Sequence, residues 1–487
     1  MLSSVLMADR TLARTPSREL PWVQVCADSP YFTTDRGDVW TPIGQNDGIT
    51  WPEFQGLYQR KNVASAESYI RMLSEHGVTV LRLMLEYSHG VRHRFEDPVG
   101  TFRPEMVQLW DDLFGLCEKY GMRILLTPFD TFWLWLNWKY HPYNAANGGP
   151  CQDRSGLLLS RPTREAIKAR LLFAVDRWSS SGALFAWDLW NEIHPSYAQD
   201  SAECFNDFIG ELSRCVRDRE MELYGRTHPQ TVSVFGPHMV LDKHIPESIF
   251  RHALLDFAST HFYEEGTIDH PQNTVDAALS VARLMRESLA ELRDFRPFLD
   301  SEHGPIHTFK DHRTTLPEPF DDEYFRHIQW AHLCSGGAGG GMRWPNRSPH
   351  SLTPGMRKAQ RALAGFLHLI DWKTFRRRNW NEEVRINRPE VDGAACGDER
   401  QALLWLVRKD EIGSDGLLRR DVEAVPLRAS LPGLEPGSYC VTVWDTVQGT
   451  EMAEYIVEGK ANGLELPLPL LVTDMAVAIR KCAPNCP

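Results

Sequence analysis

The nine residues Leu184-Phe-Ala-Trp-Asp-Leu-Trp-Asn-Glu192 begin as an apolar, β-rich run and end in polar side chains. A helical pattern precedes them, and it opens at Pro162, a residue favoured in the first helical turn. A buried strand that follows a helix is typical of a βαβ unit in a parallel sheet. The same alternation between short β-rich runs and longer helical patterns recurs from residue 20 to residue 370.

We count eight β-rich runs in this region, and the eight alternations predict an α/β fold, a (β/α)₈ TIM barrel with enlarged loops. In chain order the runs are Trp22–Cys26 together with Trp40–Ile43, Val78–Met84, Met122–Pro128, Leu184–Glu192, Thr231–Phe235, Phe257–His261, Pro297–Glu302 and Gly337–Trp344. The alternative is a doubly wound open sheet, which usually carries a glycine-rich phosphate loop after its first strand. The cluster Gly336–Gly341 is not such a loop, because it lacks the lysine and leads into Arg343.

After residue 372 the pattern changes to alternating apolar segments separated by turn signals such as Pro436-Gly437. The segments are Val384–Ile386, Ala402–Val407, Ser438–Trp444, Glu451–Val457 and Leu471–Ile479. They predict a small C-terminal antiparallel β-sandwich. The expected organisation is therefore an N-terminal extension over 1–20, a catalytic barrel over 21–371 and the sandwich over 372–487.

The composition excludes several classes of protein. The 487 residues carry a net charge of −12, which disfavours a nucleic-acid partner because phosphate binding needs clustered Lys and Arg. No window approaches the roughly 18 apolar residues of a membrane span. The N-terminus reaches Asp9 and Arg10 without the apolar stretch of a secretory signal, so we expect a cytoplasmic location, with secretion by an atypical route left open. The 10 cysteines are too dilute for a disulfide scaffold, and only Cys482 and Cys486 are placed to pair.

Polar and aromatic side chains end the predicted strands, at the end of the barrel where active sites of this fold lie. They are Arg82 on the second run, Asn191 and Glu192 on the fourth, His261 and Tyr263 on the sixth, Glu302 on the seventh and Trp344 on the eighth. Hydrolysis of a glycosidic bond needs such a set. One carboxylic acid protonates the leaving oxygen, a second carboxylate attacks the anomeric carbon, and aromatic faces hold the sugar.

These motifs resemble clan A of the retaining glycoside hydrolases. Trp-Asn-Glu closes the fourth strand, His-x-Tyr the sixth, a second Glu the seventh and Trp the eighth, which is most similar to family five, the cellulase and β-mannanase family. The resemblance covers residues 20 to 370. It implies a carbohydrate substrate, a double-displacement mechanism on β-linked gluco- or manno-type sugars, and no cofactor.

The resemblance also implies a role for each matching residue. Glu192 would be the general acid/base and Glu302 the nucleophile. The substrate-binding residues would be Asn191 at the sugar 2-hydroxyl, Arg82 and Tyr263 beside Glu302, His261 in the hydrogen-bond network, and Trp344 under the sugar. Glu302 should stay ionised beside Arg82 and Tyr263, whereas packing against Trp187 and Trp190 should raise the pKa of Glu192.

The spacing of the two glutamates agrees with these roles. They are 110 residues apart, which is about three βα units of 30 to 40 residues each and takes the chain from strand four to strand seven. Those strand ends face each other across a barrel. A retaining mechanism needs carboxyl groups about 5 to 5.5 Å apart, and a separation beyond about 7 Å would exclude the covalent mechanism.

The third strand departs from the family pattern. Family five has a histidine near its end, where this chain runs Leu125-Leu-Thr-Pro-Phe-Asp130. Asp130 is a candidate substrate hydrogen-bond acceptor in its place; the alternative is another family of the clan.

The loop that follows, Thr131 to His141, is the most aromatic stretch of the chain. It is either a sugar-stacking wall or a loop packed on the barrel rim, and Trp135 and Trp138 are its candidates for substrate contact.

Other functions are compatible with parts of this pattern. Metal-dependent hydrolysis in the same barrel would place His-x-His on the first strand, which has no histidine, so no metal site is expected. A carbohydrate-binding barrel without catalysis is disfavoured because both glutamates are present. A β-galactosidase-like exo-enzyme and a transglycosylase of the same clan stay open, as do the sugar, the choice of exo or endo action, and the oligomeric state.

Overall fold

The computed structural model describes residues 20–86, 94–306, 315–461 and 463–482. The chain begins with a small antiparallel sheet of three strands. These strands are β1 Val23–Val25, β2 Phe32–Thr34 and β3 Val39–Trp40. The prediction that the first barrel strand lies in Trp22–Cys26 and Trp40–Ile43 is therefore wrong, because β1 and β3 belong to this separate sheet.

The eight strands that follow form one parallel sheet, with the order β8-β7-β6-β5-β4-β11-β10-β9. They are β4 Gly44–Asp47, β5 Val80–Met84, β6 Arg123–Thr127, β7 Leu184–Asp188, β8 Gln230–Thr231, β9 Ala258–Phe262, β10 Phe298–His303 and β11 Met342–Arg343. A parallel bridge between Phe235 and His261 joins the end of β8 to β9 and closes the barrel. The predicted (β/α)₈ barrel is confirmed.

The first barrel strand, β4, has the polar sequence Gly-Gln-Asn-Asp, and this explains why its composition gave no β-strand signal. Its side chains are buried and have partners on both sides of the strand. Gln45 and Asp47 hydrogen-bond Tyr69 on the helix that follows, whereas Asn46 has its partners inside the barrel. Asn46 donates to the backbone oxygens of Ser301 (2.9 Å) and Met342 (3.3 Å). Gly44 is required by the close approach of β5, since a Cβ there would lie 1.9 Å from the Val80 oxygen.

Helices surround the barrel and connect its strands. In the described residues they are α1 Val63–Glu75, α2 Pro104–Tyr120, α3 Thr131–Asn137, α4 Arg161–Trp178, α5 Phe205–Tyr224, α6 His244–Phe250, α7 Thr274–Glu291, α8 Glu318–Cys334 and α9 Pro354–Phe366. Local chemistry sets their ends. α2 begins at Pro104 and stops at Gly121 in the left-handed conformation (φ 74°). No described helix combines the length and apolar character needed to cross a bilayer.

The C-terminal region contains a six-stranded and a three-stranded antiparallel sheet around a second hydrophobic core, which confirms the predicted sandwich. Its strands are β12 Arg378–Asn379, β13 Arg385–Ile386, β14 Val391–Gly397, β15 Gln401–Arg408, β16 Val425–Leu431, β17 Gly437–Asp445, β18 Thr450–Gly459, β19 Leu464–Leu471 and β20 Asp474–Lys481. The sequence prediction missed β12, β14, β16 and β19. β12 has only two residues, and glycines in β14 and prolines in β16 and β19 weaken the strand signal. Cys486 lies outside the described residues.

The sandwich packs directly on the barrel helices. Trp405 and Trp444 of the sandwich belong to the same hydrophobic core as the barrel. Arg326 on α8 forms a buried ion pair with Asp474 on β20, with 2.6 Å between the nitrogen and the oxygen. The Gly416 oxygen also accepts the N–H of Thr274 at the start of α7 (3.1 Å), so a loop of the sandwich reaches the segment that follows β9.

Candidate active site

Glu192 lies four residues beyond the end of β7 and is held in an unusual backbone conformation. Its φ is +49°, in the left-handed region that few residues other than glycine adopt. Such strain costs about 1 to 3 kcal/mol and is concentrated at functional sites. The Glu192 N–H donates to the Ser233 hydroxyl at the end of β8 (3.3 Å), which fixes the turn that brings the carboxyl group over the barrel.

Glu302 lies on β10 at an irregularity in the sheet. The pairing of β9 with β10 shifts by one residue between Asp300 and Glu302. The Asp300 carboxylate accepts the backbone N–H groups of Glu302 (3.3 Å) and Phe262 (3.1 Å), which stabilises this bulge. A bulge redirects a side chain, here the carboxyl group of Glu302. The residue is buried, with 8% of its surface exposed.

The two glutamates meet at the centre of the barrel mouth. A carboxylate oxygen of Glu192, a carboxylate oxygen of Glu302 and a ring nitrogen of His261 all lie within 4.8 Å of one another. This separation is below the limit of about 7 Å set above for a covalent mechanism.

Arg82 connects the nucleophile candidate to the barrel interior. Its guanidinium donates to Glu302 (3.0 Å) and to Asp188 on β7 (2.7 Å). It also donates to the side-chain oxygens of Asn46 and Asn191. The guanidinium is fully buried, and these four residues together with the Ser233 hydroxyl (3.3 Å) hold it in one orientation. Asp188 and Asn46 are candidate site residues that the sequence reasoning missed; their contacts with Arg82 become apparent only once the strands are placed.

Tyr263 and His261, at the end of β9, contact the glutamates. The Tyr263 hydroxyl donates to Glu302 Oε1 (2.8 Å). His261 Nδ1 lies 2.7 Å from Glu192 Oε1 and 3.8 Å from Glu302 Oε2. Burial lowers the pKa of His261 to about 4, so the imidazole is neutral at neutral pH. The structure thus brings Arg82, His261 and Tyr263 into contact with the glutamates, whereas Asn191 contacts Arg82.

Both glutamates have raised pKa values, and their surroundings differ. Burial raises the pKa of Glu192 to about 7 against the charge of Arg82. Burial and the nearby Glu192 also raise the pKa of Glu302, opposed by Arg82 and by the Tyr263 hydrogen bond. Two carboxyl groups this close share a proton over part of the pH range. Only Glu302 accepts hydrogen bonds from both Arg82 and Tyr263, so the shared proton is favoured on Glu192.

The expected cause of the Glu192 shift was wrong. Trp187 does not face the mouth, because its ring N–H donates to Glu220 on α5 (3.0 Å), between the barrel and the helix layer. The ring of Trp190 stacks on Phe129, and its N–H donates to Thr131 (2.9 Å). General burial beside Asp188, and not a tryptophan pocket, raises the pKa of Glu192.

Asp130 supports Asn191. The Asp130 carboxylate accepts the backbone N–H groups of Phe132 (3.1 Å) and Trp133 (2.9 Å), which makes it the N-cap of α3. It also accepts the side-chain amide of Asn191 (2.6 Å), whose oxygen faces Arg82. The amide orientation is therefore fixed. The structure places Asp130 beneath Asn191, with 6% of its surface exposed, and burial raises its pKa to about 6.

Three tryptophans and Met84 form a separate apolar cluster at the mouth. Trp344 packs edge-on against Trp51, with ring centroids 5.2 Å apart, and Trp133 and Met84 belong to the same cluster. The two candidates from the aromatic loop are not in it. Trp135 is 55% exposed on α3, and Trp138 stacks on His141. Trp51 was missed because the loop that carries it follows β4, the strand that the sequence prediction misplaced.

The donor set of the mouth also has the geometry of a metal site. Glu192, His261 and Glu302 offer two oxygens and one nitrogen at close range, a set that a borderline ion such as Zn²⁺ accepts. The expectation of no cofactor therefore stays a prediction, which activity measured in the presence of EDTA tests.

The whole fold was compared with known proteins. No family model matches the sequence, and no curated protein matches it. Solved structures do. A structure described as a glycoside hydrolase has a TM-score of 0.60 at 12% identity, over 95% of this chain and 98% of that one. A glycoside hydrolase of family 5 from Bacteroides vulgatus has a TM-score of 0.59 at 11% identity, over 96% of this chain and 95% of that one.

The chain has a glycoside hydrolase fold. The match extends through the barrel and the trailing sandwich, because nearly the full length of both chains is covered. The fold of the described residues is therefore similar to that of these two structures. At 11 to 12% identity the comparison concerns the fold, and the reaction has to be argued from the residues at the mouth.

Proposed function

We propose that the protein is a retaining β-glycoside hydrolase that cleaves β-linked gluco- or manno-type sugars by double displacement. The observation that carries the proposal is the short separation of the Glu192 and Glu302 carboxylate oxygens, within 4.8 Å. The different hydrogen-bond partners of the two groups support different roles for them. The likeness of the fold to glycoside hydrolase structures agrees with this chemistry.

In the first half-reaction Glu302 attacks the anomeric carbon and Glu192 donates its proton to the leaving oxygen. Arg82 and Tyr263 hold the Glu302 carboxylate by one oxygen each (3.0 and 2.8 Å), which orients it for attack. Glu192 starts protonated because its pKa is about 7. The bond from the anomeric carbon to the leaving oxygen breaks as the bond to Glu302 forms.

In the second half-reaction water replaces the leaving group. Glu192, now ionised, removes a proton from this water, and the water oxygen displaces Glu302 from the anomeric carbon. His261, neutral and 2.7 Å from Glu192, can hydrogen-bond the carboxyl group in either protonation state. Two inversions at the same carbon retain the β configuration.

The sugar would lie against the cluster of Trp344, Trp51, Trp133 and Met84, where aromatic faces are available to a pyranose ring. Asn191, fixed by Arg82 and Asp130, would contact the 2-hydroxyl. A screen of nitrophenyl β-glycosides together with mannan, glucan and xylan tests the proposal. We expect β-glycoside turnover that EDTA does not reduce. Binding of sugars without any turnover, turnover only of α-linked substrates, or loss of activity on chelation would contradict it.

The pH profile of kcat/KM should be bell-shaped. The enzyme is active when Glu192 is protonated and Glu302 is ionised, and kcat/KM reports these groups in the free enzyme. Activity should therefore fall as the pH rises through about 7, where Glu192 loses its proton. It should also fall at low pH as Glu302 becomes protonated. A Glu192→Gln variant assayed with an activated aryl glycoside should lose the alkaline limb; a limb that persists would remove Glu192 from the role of acid.

A further inference from the structure

Three rings follow one another along the rim on the Glu192 side of the mouth. Phe235 contacts Tyr263, with ring centroids 5.2 Å apart. His238, on the turn Gly236–Val240 after Phe235, contacts Phe235 at 4.7 Å and His194 at 4.6 Å. All three rings are partly exposed, so each presents a face or an edge to solvent.

The position of this row is fixed by contacts with the catalytic residues. His194 follows Glu192 by two residues, and its Nδ1 contacts the hydroxyl (2.9 Å) and the N–H (3.1 Å) of Ser196. Phe235 bridges to His261, the partner of Glu192. Gly236 lets the turn lie close to β9, since a Cβ there would be 2.5 Å from the His261 oxygen. The row therefore extends outward from the general acid and from Tyr263.

The apolar tryptophan cluster occupies other strand ends. Trp344 follows β11, Trp51 follows β4, Met84 lies on β5, and Trp133 follows β6. The proton from Glu192 goes to the leaving oxygen, so the leaving group must lie on the Glu192 side of the reacting carbon. The two sets of rings thus follow different strands, β11 and β4 to β6 for the tryptophan cluster and β7 and β8 for the row on the Glu192 side.

We infer that Phe235, His238 and His194 form a binding site for the leaving group, an aglycone platform, and that its ligand is an uncharged second sugar ring. This inference rests on the proposed hydrolase function and extends it. Aromatic and imidazole faces contact the C–H faces of a pyranose, and imidazole nitrogens hydrogen-bond its hydroxyls.

The electrostatics of the platform favour a neutral ligand. Burial, together with the neighbouring His194, lowers the pKa of His238 to about 4. Burial also lowers the pKa of His194, against the charge of Asp200. At neutral pH both rings are uncharged, so the platform supplies no cation for a phosphate, sulfate or carboxylate group on the leaving side.

A comparison of two substrates of the wild-type enzyme tests the platform. One is the β-linked disaccharide of the preferred sugar, and the other is its β-glycosyl fluoride, whose leaving group is too small to reach the rings. For Phe235→Ala combined with His238→Ala, we expect the disaccharide-to-fluoride ratio of kcat/KM to fall about 10-fold, the scale of one to two lost ring contacts. Val240→Ala is the matched control, since Val240 is on the same turn and 89% exposed.

Each outcome decides the inference. An equal loss on both substrates would assign the rings a structural role only, and an unchanged ratio would show that the leaving sugar does not contact them. Either result overturns the platform. A lower KM for disaccharides sulfated on the leaving ring than for neutral ones overturns the assigned ligand class. If the wild-type protein hydrolyses neither substrate, the hydrolase function itself fails, and the platform fails with it.

Discussion

Replacing Glu302 by Gln is expected to lower kcat by about 10⁴-fold or more, the scale of loss when a catalytic nucleophile is removed. The amide is nearly isosteric with the carboxylate and can still accept the Tyr263 hydroxyl. Arg82 keeps Asp188 as its ionic partner (2.7 Å), so the fold should survive. Steady-state kinetics on an aryl glycoside, with a thermal unfolding scan for each variant, measure the effect.

The matched control for this loss is Glu265→Gln. Glu265 is an exposed carboxylate two residues beyond Tyr263, so it shares the sequence neighbourhood but not the site. The activity of the Glu265→Gln variant should equal that of the wild type. Glu302→Ala adds a chemical test, because azide can fill the vacated space and attack the anomeric carbon once. The product should be the α-glycosyl azide, whereas undiminished hydrolysis by Glu302→Gln would exclude Glu302 as the nucleophile.

Replacing Glu192 by Ala is expected to have a large effect that depends on the leaving group. A disaccharide needs the proton, so its kcat/KM should fall about 10²- to 10⁴-fold, the usual contribution of general acid catalysis. A dinitrophenyl glycoside leaves without protonation, so its kcat/KM should change far less. Stopped-flow and steady-state assays on the two substrates measure this difference directly.

The same Glu192→Ala variant should be slow in the second half-reaction. Without the general base, the glycosyl-enzyme should accumulate and give a burst of dinitrophenol followed by a slow steady state. Azide, which needs no deprotonation, should accelerate the steady state and give the β-glycosyl azide. Equal losses on both substrates, with no burst, would remove Glu192 from the acid/base role.

Much of the barrel could be predicted from the sequence, because apolar runs such as Val80–Met84 and Arg123–Thr127 alternate with amphipathic helices. The catalytic candidates could be placed for the same reason, since Glu192 and Glu302 follow recognisable strands. β4 could not be found this way. Its polar residues are buried because the barrel interior (for Asn46) and the surrounding helices (for Gln45 and Asp47) supply their hydrogen bonds, a long-range condition that local composition does not contain.

The finer structure of the site also depended on tertiary contacts. The inward direction of Asp188 and the outward direction of Trp187 follow from strand register, which composition does not give. Trp51 was not recognised because its loop follows β4, the strand that the sequence prediction misplaced. The backbone strain at Glu192 and the bulge before Glu302 are set by Ser233 and Asp300, residues that no motif marks.

The central claim is that Glu302 becomes covalently bonded to the sugar. Incubation with the 2-deoxy-2-fluoro-β-glycosyl fluoride of the preferred sugar, followed by peptide mass spectrometry, tests it most directly, since the fluorine at C2 slows the second half-reaction. The account predicts one sugar per chain, attached to Glu302 and missing in Glu302→Gln. An active enzyme that forms no adduct, or that carries it on another residue, would contradict the account.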